Sequence, residues 1–142
     1  MRMRLATLAV SIACLAGAPA FAAEVPDLVG TWTGSFRLMH HTGPAEQTLQ
    51  FKVLSQDGPL LTGEKAWKID GGTAGNVAGE DKTEAVEALV GVVGFDGEIR
   101  FAEQGDSGLY FGRLAGPDTL ELVYIEAGNL ATAYRAELAR AK

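Results

Sequence analysis

Cysteine is almost missing from this 142-residue chain: the one thiol, Cys14, lies in an apolar leader. Removal of that leader leaves no thiol, which excludes disulfides, thiolate–metal sites and cysteine nucleophiles. Histidine is nearly as scarce, with His40 and His41 alone and adjacent. Neighbours on a strand point to opposite faces, so these two do not readily share a metal and read as polar tips at a strand end. No G-x-S-x-G, H-E-x-x-H, phosphate loop or dinucleotide fingerprint occurs. Nor is there the D-x-D-x-D-G spacing of a calcium loop. The sequence is therefore read as non-enzymatic, with no cofactor and no metal. Long apolar runs are also lacking. The longest, Leu5 to Ala18, is shorter than the roughly 20 residues a membrane span needs.

What the N-terminus does contain is an address. Met1-Arg2-Met3-Arg4 is a positive n-region, Leu5–Ala18 an uncharged h-region, and Ala20-Phe21-Ala22 an A-x-A cleavage site. Residues 1–22 are thus expected to be a secretory signal peptide and residues 23–142 a single domain, periplasmic or secreted. A lipoprotein cleaved before Cys14 is the alternative, but Ser11-Ile12-Ala13 lacks the usual leucine of a lipobox. The mature chain would carry ten basic against eighteen acidic residues, a net charge of −8. That balance disfavours nucleic acid and anionic membrane as partners. Without disulfides, a domain of this size must be held by its core alone.

From Leu28 the chain alternates apolar and polar residues at strand period. Trp32, Phe36, Leu38 and His40 share a face of the first strand, in which Gly34 suggests a bend or a close backbone approach. Further strands are expected at Glu46–Ser55, Leu60–Ile69, Ala88–Phe95, Glu98–Gln104, Leu109–Ala115, Thr119–Glu126 and Leu130–Ala139. Turn signals such as Asp57-Gly58 and Asp96-Gly97 separate them. Asp70–Thr83 reads as one long polar, Gly-rich connection. Eight strands with short turns suit an all-β, antiparallel up-and-down barrel, which leaves no exposed edge.

Two motifs carry a family likeness. Gly30-Thr31-Trp32 resembles the G-x-W opening of lipocalins and the G-T-W opening of avidins. Asp57-Gly58-Pro59-Leu60-Leu61-Thr62-Gly63 is similar to the hairpin by which avidins enter their third strand. The resemblance is to calycin-type eight-stranded barrels. It implies that Gly30 and Trp32 close one end, with an Arg of the final strand over the Trp. Arg135 and Arg140 are the candidates, and Arg135 is taken for that role. It does not imply biotin binding. The positions that hold biotin in avidins are Gly34, Leu38, Lys65 and Trp67 here, and the later pocket tryptophans are missing.

The candidate ligand-binding residues are Lys65, Trp67, Tyr110, Tyr124 and Tyr134. Lys65 shares a strand face with Leu61, Trp67 and Ile69. Two placements stay open. At a rim, Lys65 snorkels into water. Inside, it needs partners, for which Glu87, Glu103 and Glu126 are available, and the cluster would suit an anionic or carbonyl ligand. The expected function is an exported small barrel that binds a small, partly apolar molecule among its inward aromatic residues. The alternative is a protein-interaction or self-associating module, inhibitor-like in kind. In that reading Val90 and Val92 form the outer contact, because exposed apolar rows are seldom left bare.

Overall fold

The computed structural model describes residues 24–72, 75–77 and 80–142. Residues 1–22, the expected signal peptide with Cys14, lie outside them. Alternation becomes strand wherever it was read. The elements are β1 (Gly30–His40), β2 (Gly43–Asp57), β3 (Leu60–Gly72), β4 (Gly75–Val77), β5 (Glu80–Lys82), β6 (Glu84–Val93), β7 (Ile99–Glu103), β8 (Gly108–Gly116), β9 (Thr119–Glu126) and β10 (Thr132–Arg140). Eight of them close into an antiparallel barrel in which each strand pairs with the next along the chain. β3 pairs with β6, and β10 pairs back with β1. β4 and β5 pair only with each other, as a hairpin outside the barrel wall.

The main departure from the sequence reading is between Asp70 and Thr83. β3 runs on to Gly72, and β6 begins at Glu84 rather than Ala88. The expected single loop is therefore largely paired backbone. Glu84 is held in strand by its partner Lys68 across the β3–β6 ladder, so pairing with a distant strand sets a boundary that local composition does not show. Phe95, the expected last residue of that strand, follows the end of β6 and is fully exposed.

The barrel interior has two tiers. The tier at the Trp32 end is apolar: Leu49, Phe51, Val53, Leu61, Leu89, Ile99, Phe101, Leu120, Leu122 and Leu138 are all buried. Phe51 meets Phe101 edge-to-face, with centroids 5.0 Å apart. Gly34 on β1 faces β10 so closely that a Cβ there would stand 2.5 Å from the Glu137 carbonyl oxygen. Absence of a side chain thus lets β1 and β10 meet.

Trp32 seals this end. Its indole is fully buried, and Nε1 donates to the Leu28 carbonyl at 3.1 Å. The guanidinium above the ring, 4.1 Å from its centroid, belongs to Arg140 and not to Arg135. Arg140 also donates to the carbonyls of Val29 at 2.8 Å and Asp27 at 2.9 Å. Arg135 is exposed on the outer wall, opposite Val123. The reason is parity. Tyr134, Ala136 and Leu138 point inward along β10, and Arg140 continues that face, whereas Arg135 lies on the other. Gly30 has φ +137°, a conformation open chiefly to glycine, and lies beside Arg140. The lead is tied down by Gln56, which accepts from Leu28 N at 2.9 Å and donates to the Pro26 carbonyl at 2.8 Å.

Candidate functional site

The opposite half of the interior is polar. His40, Gln47, Lys65, Glu87, Glu103, Glu126 and Thr132 are all buried. They come from β1, β2, β3, β6, β7, β9 and β10, so seven of the eight barrel strands each place one polar side chain inside. The eighth, β8, places Gly108 there. A Cβ at Gly108 would collide with the Glu103 carboxylate and the Tyr124 hydroxyl, so the glycine makes the space these groups occupy.

Lys65 is the centre of this tier and is only 4 % exposed. It stands opposite Phe51 on one neighbouring strand and Glu87 on the other, well inside the wall rather than at a rim. Its Nζ is 3.0 Å from Glu87 Oε2 and is ion-paired with Glu103 Oε1. It also lies 4.7 Å from the ring centroid of Tyr124 and 5.6 Å from that of Tyr110. Burial opposes the charge on this amine. The surrounding Tyr134, Glu103 and Glu87 outweigh it and hold the ammonium above its ordinary value. Trp67 Nε1 donates to Glu87 Oε2 at 2.6 Å.

Tyr110, Tyr124 and Tyr134 line the same space. The hydroxyls of Tyr110 and Tyr134 share a hydrogen bond of 2.8 Å. Tyr134 stacks on Tyr124 with centroids 4.8 Å apart and on Phe36 at 4.5 Å. Burial pushes all three phenols above their usual range, so each keeps its proton at neutral pH. The structure thus brings Lys65, Trp67, Tyr110, Tyr124 and Tyr134 together. It leaves a cavity of about 20 Å³ bounded by Leu38, Gln47, Lys65, Trp67, Tyr124, Glu126, Thr132 and Tyr134. That volume suits one water-sized group.

The charge balance differs from the sequence expectation. Among the described residues, three buried carboxylates, Glu87, Glu103 and Glu126, surround the Lys65 ammonium, and two of them hold it. Little of the Lys65 charge is left for an anion. Glu103 is raised, because burial outweighs the attraction of Lys65. Glu126 is pushed up to about 7 by burial and by neighbouring Asp106. Tyr124 gives its proton to Glu126 Oε2 at 3.1 Å. Glu103 Oε2 is buried with no hydrogen-bond donor among the described residues. Glu87, Glu103 and Asp106 each bring one oxygen within 4.8 Å of the others, but Lys65 already stands between the first two as their cation.

His40, Gln47 and Thr132 were not singled out as interior polar residues, although a parity signal existed for each. Gln47 continues the face of Leu49 and Phe51, Thr132 that of Tyr134, and His40 that of Leu38. His40 is not an exposed tip. It is buried, with Nδ1 3.2 Å from the Thr42 hydroxyl and Nε2 3.2 Å from His41 Nδ1. Comparison with protein-family models, curated proteins and solved structures finds no match to this chain.

Proposed function

We propose that this chain is an exported, non-enzymatic barrel of calycin type that binds a small, partly apolar guest at the polar end of its interior. The observation that carries the reading is the buried Lys65–Glu87–Glu103 group with one carboxylate oxygen left without a donor. Folding gains little from such a group, because well-packed apolar replacements of buried ion pairs are often neutral or stabilising. An unsatisfied buried acceptor costs about 1–3 kcal/mol. The apolar tier beneath supplies a core without it. A polar group of the guest would enter the cavity beside Tyr124, and its apolar part would lie at the mouth against Leu38 and Trp67, which border the same space. Native mass spectrometry of the protein purified from its own source tests this. A non-covalent adduct that dissociates on denaturation is expected. A bare chain under conditions that preserve the fold contradicts it.

A second reading rests on the outer wall. Met39, Ala133, Ile125, Leu109, Ala102 and Val90 are in register across six consecutive strands and all point outward. Val90 is 44 % exposed and Val92, two residues on, 38 %. This row suits contact with a second copy of the chain. Sedimentation of the wild type and of Ile125→Lys decides it. A monomer in both contradicts self-association.

A further inference from the structure

Resting on the self-association reading above, we infer that a second copy docks on the outer face of β8, β9 and β10 about a two-fold axis, so that Arg135 of each copy pairs with Glu137 of the other. The register of the wall, its charges and its shape point to that contact.

The outer wall of the barrel is lopsided. Across β1 and β2 it carries Thr33, Ser35, Thr48, Gln50 and Lys52, whereas across β6, β8 and β9 it carries Val90, Val92, Leu109, Phe111, Val123 and Ile125. Strand pairing lays the apolar side out in rows. Beside the row of Ile125 and Leu109 runs a second one of Arg135, Val123, Phe111 and Arg100. Beside that runs a third, of Glu137, Glu121 and Arg113. A groove of about 870 Å³ lies over the second and third rows and is walled by the turn at 96–98.

Two charges in this groove are unanswered. Arg113 is taken by Glu121 at 2.8 Å. Glu137 stands directly opposite Glu121, a like-charge placement that is unfavourable across a ladder. Arg135 stands opposite Val123. Neither Arg135 nor Glu137 has a side-chain ion pair or hydrogen bond among the described residues. The two lie on one face of β10 with opposite signs, one in the second row and one in the third. A two-fold axis across the strands, between those rows, sets the second row of one copy on the third row of the other. Arg135 then meets the partner's Glu137, and the same pair recurs at the symmetry-related place. Phe111 meets the partner's Arg113, a cation over a ring. Ile125 and Leu109 fall on the partner's Thr119 and Ala115, which are small enough to receive them.

Net charge favours the same face. The chain carries a formal net charge of −6, so two copies repel over most of their surface. Here Arg100, Arg113 and Arg135 stand among Asp96, Glu98, Glu121 and Glu137. The near balance lets two copies approach with little net repulsion.

The test is sedimentation equilibrium of the full chain and of charge-swapped variants. Wild type should be a dimer. Arg135→Glu and Glu137→Arg should each weaken association tenfold or more, because each sets like charges together across the contact. The double variant Arg135→Glu, Glu137→Arg restores opposite charges and should return to within about threefold of wild type. Neither side chain is bonded within its own barrel, so the dilute monomer should keep its stability and its circular dichroism. If a swapped chain does not fold, Arg135→Ala and Glu137→Ala read the same pair: together they should weaken association by less than the sum of the two singles. Dimers that ignore the single changes, or a double variant with no restoration or coupling, overturn this contact and leave the self-association reading intact. Species larger than a dimer overturn the two-fold in the same way. A wild type that stays monomeric at every concentration overturns both.

Discussion

Lys65 shows what a single residue does in this interior. Its ammonium joins Glu87 and Glu103 and lies against two tyrosine rings. Lys65→Met removes the cation and leaves both carboxylates buried, which should cost about 3–5 kcal/mol in urea unfolding at pH 7.5. The loss should shrink at pH 5, where protonation relieves the carboxylates. Glu126 sets a second pH effect. Its ordinary value of 4.5 rises to about 7 in the folded chain, so the folded chain holds a proton that the unfolded chain releases across that window. Stability from this group is full below about pH 4.5 and falls as pH rises through 7. Glu126→Gln should flatten that slope, by no more than about 2 kcal/mol given solvent screening at a barrel mouth. Urea midpoints measured from pH 5 to 8 check it. Much of this was legible. Strand parity put Lys65 on the face of Trp67, and Glu87, Glu103 and Glu126 were the partners named for an inward lysine. What parity cannot supply is depth along the barrel, because a rim lysine and a buried one share the same alternation. Depth came from register, which sets Lys65 between Phe51 and Glu87.

Among the elements, the join of β1, β10 and the lead 24–29 carries the closure. Arg140 stacks on Trp32 and bonds two carbonyls of the lead. Arg140→Ala should cost about 1–3 kcal/mol, and Trp32→Ala about 3–5 kcal/mol. Because the two side chains touch, the double variant should cost less than the sum. Arg135→Ala, on the outer wall, should fall within about 0.5 kcal/mol of wild type. Thermal and urea unfolding of the four variants compares these directly. The sequence held the answer to which arginine acts, since Arg140 and not Arg135 shares a face with Leu138. The β3–β6 connection was less legible. Gly71 and Gly72 read as loop, yet they pair with Glu46 and Ala45 on β2. Pairing partners distant in sequence decide such boundaries, and local composition does not record them.

Across the whole molecule, all eight barrel strands and their antiparallel order followed from alternation and turn chemistry, and the structure closes them as expected. The division of the interior into an apolar and a polar half was not read, because it emerges only when the strands are laid side by side in register. The proposed function rests on that division, in which the apolar half supplies the core and the polar half is the proposed place of a guest. The measurement that tests it most directly is the unfolding free energy, in urea at pH 7.5, of the triple variant Lys65→Met, Glu87→Gln, Glu103→Leu. Gln at 87 keeps an acceptor for the Trp67 indole, and the other two changes remove the buried charges. If the polar tier exists for binding, the variant should be as stable as wild type or more stable by about 1–3 kcal/mol, and it should no longer retain the guest. A loss of several kcal/mol would make the cluster a structural element of the barrel and contradict the account.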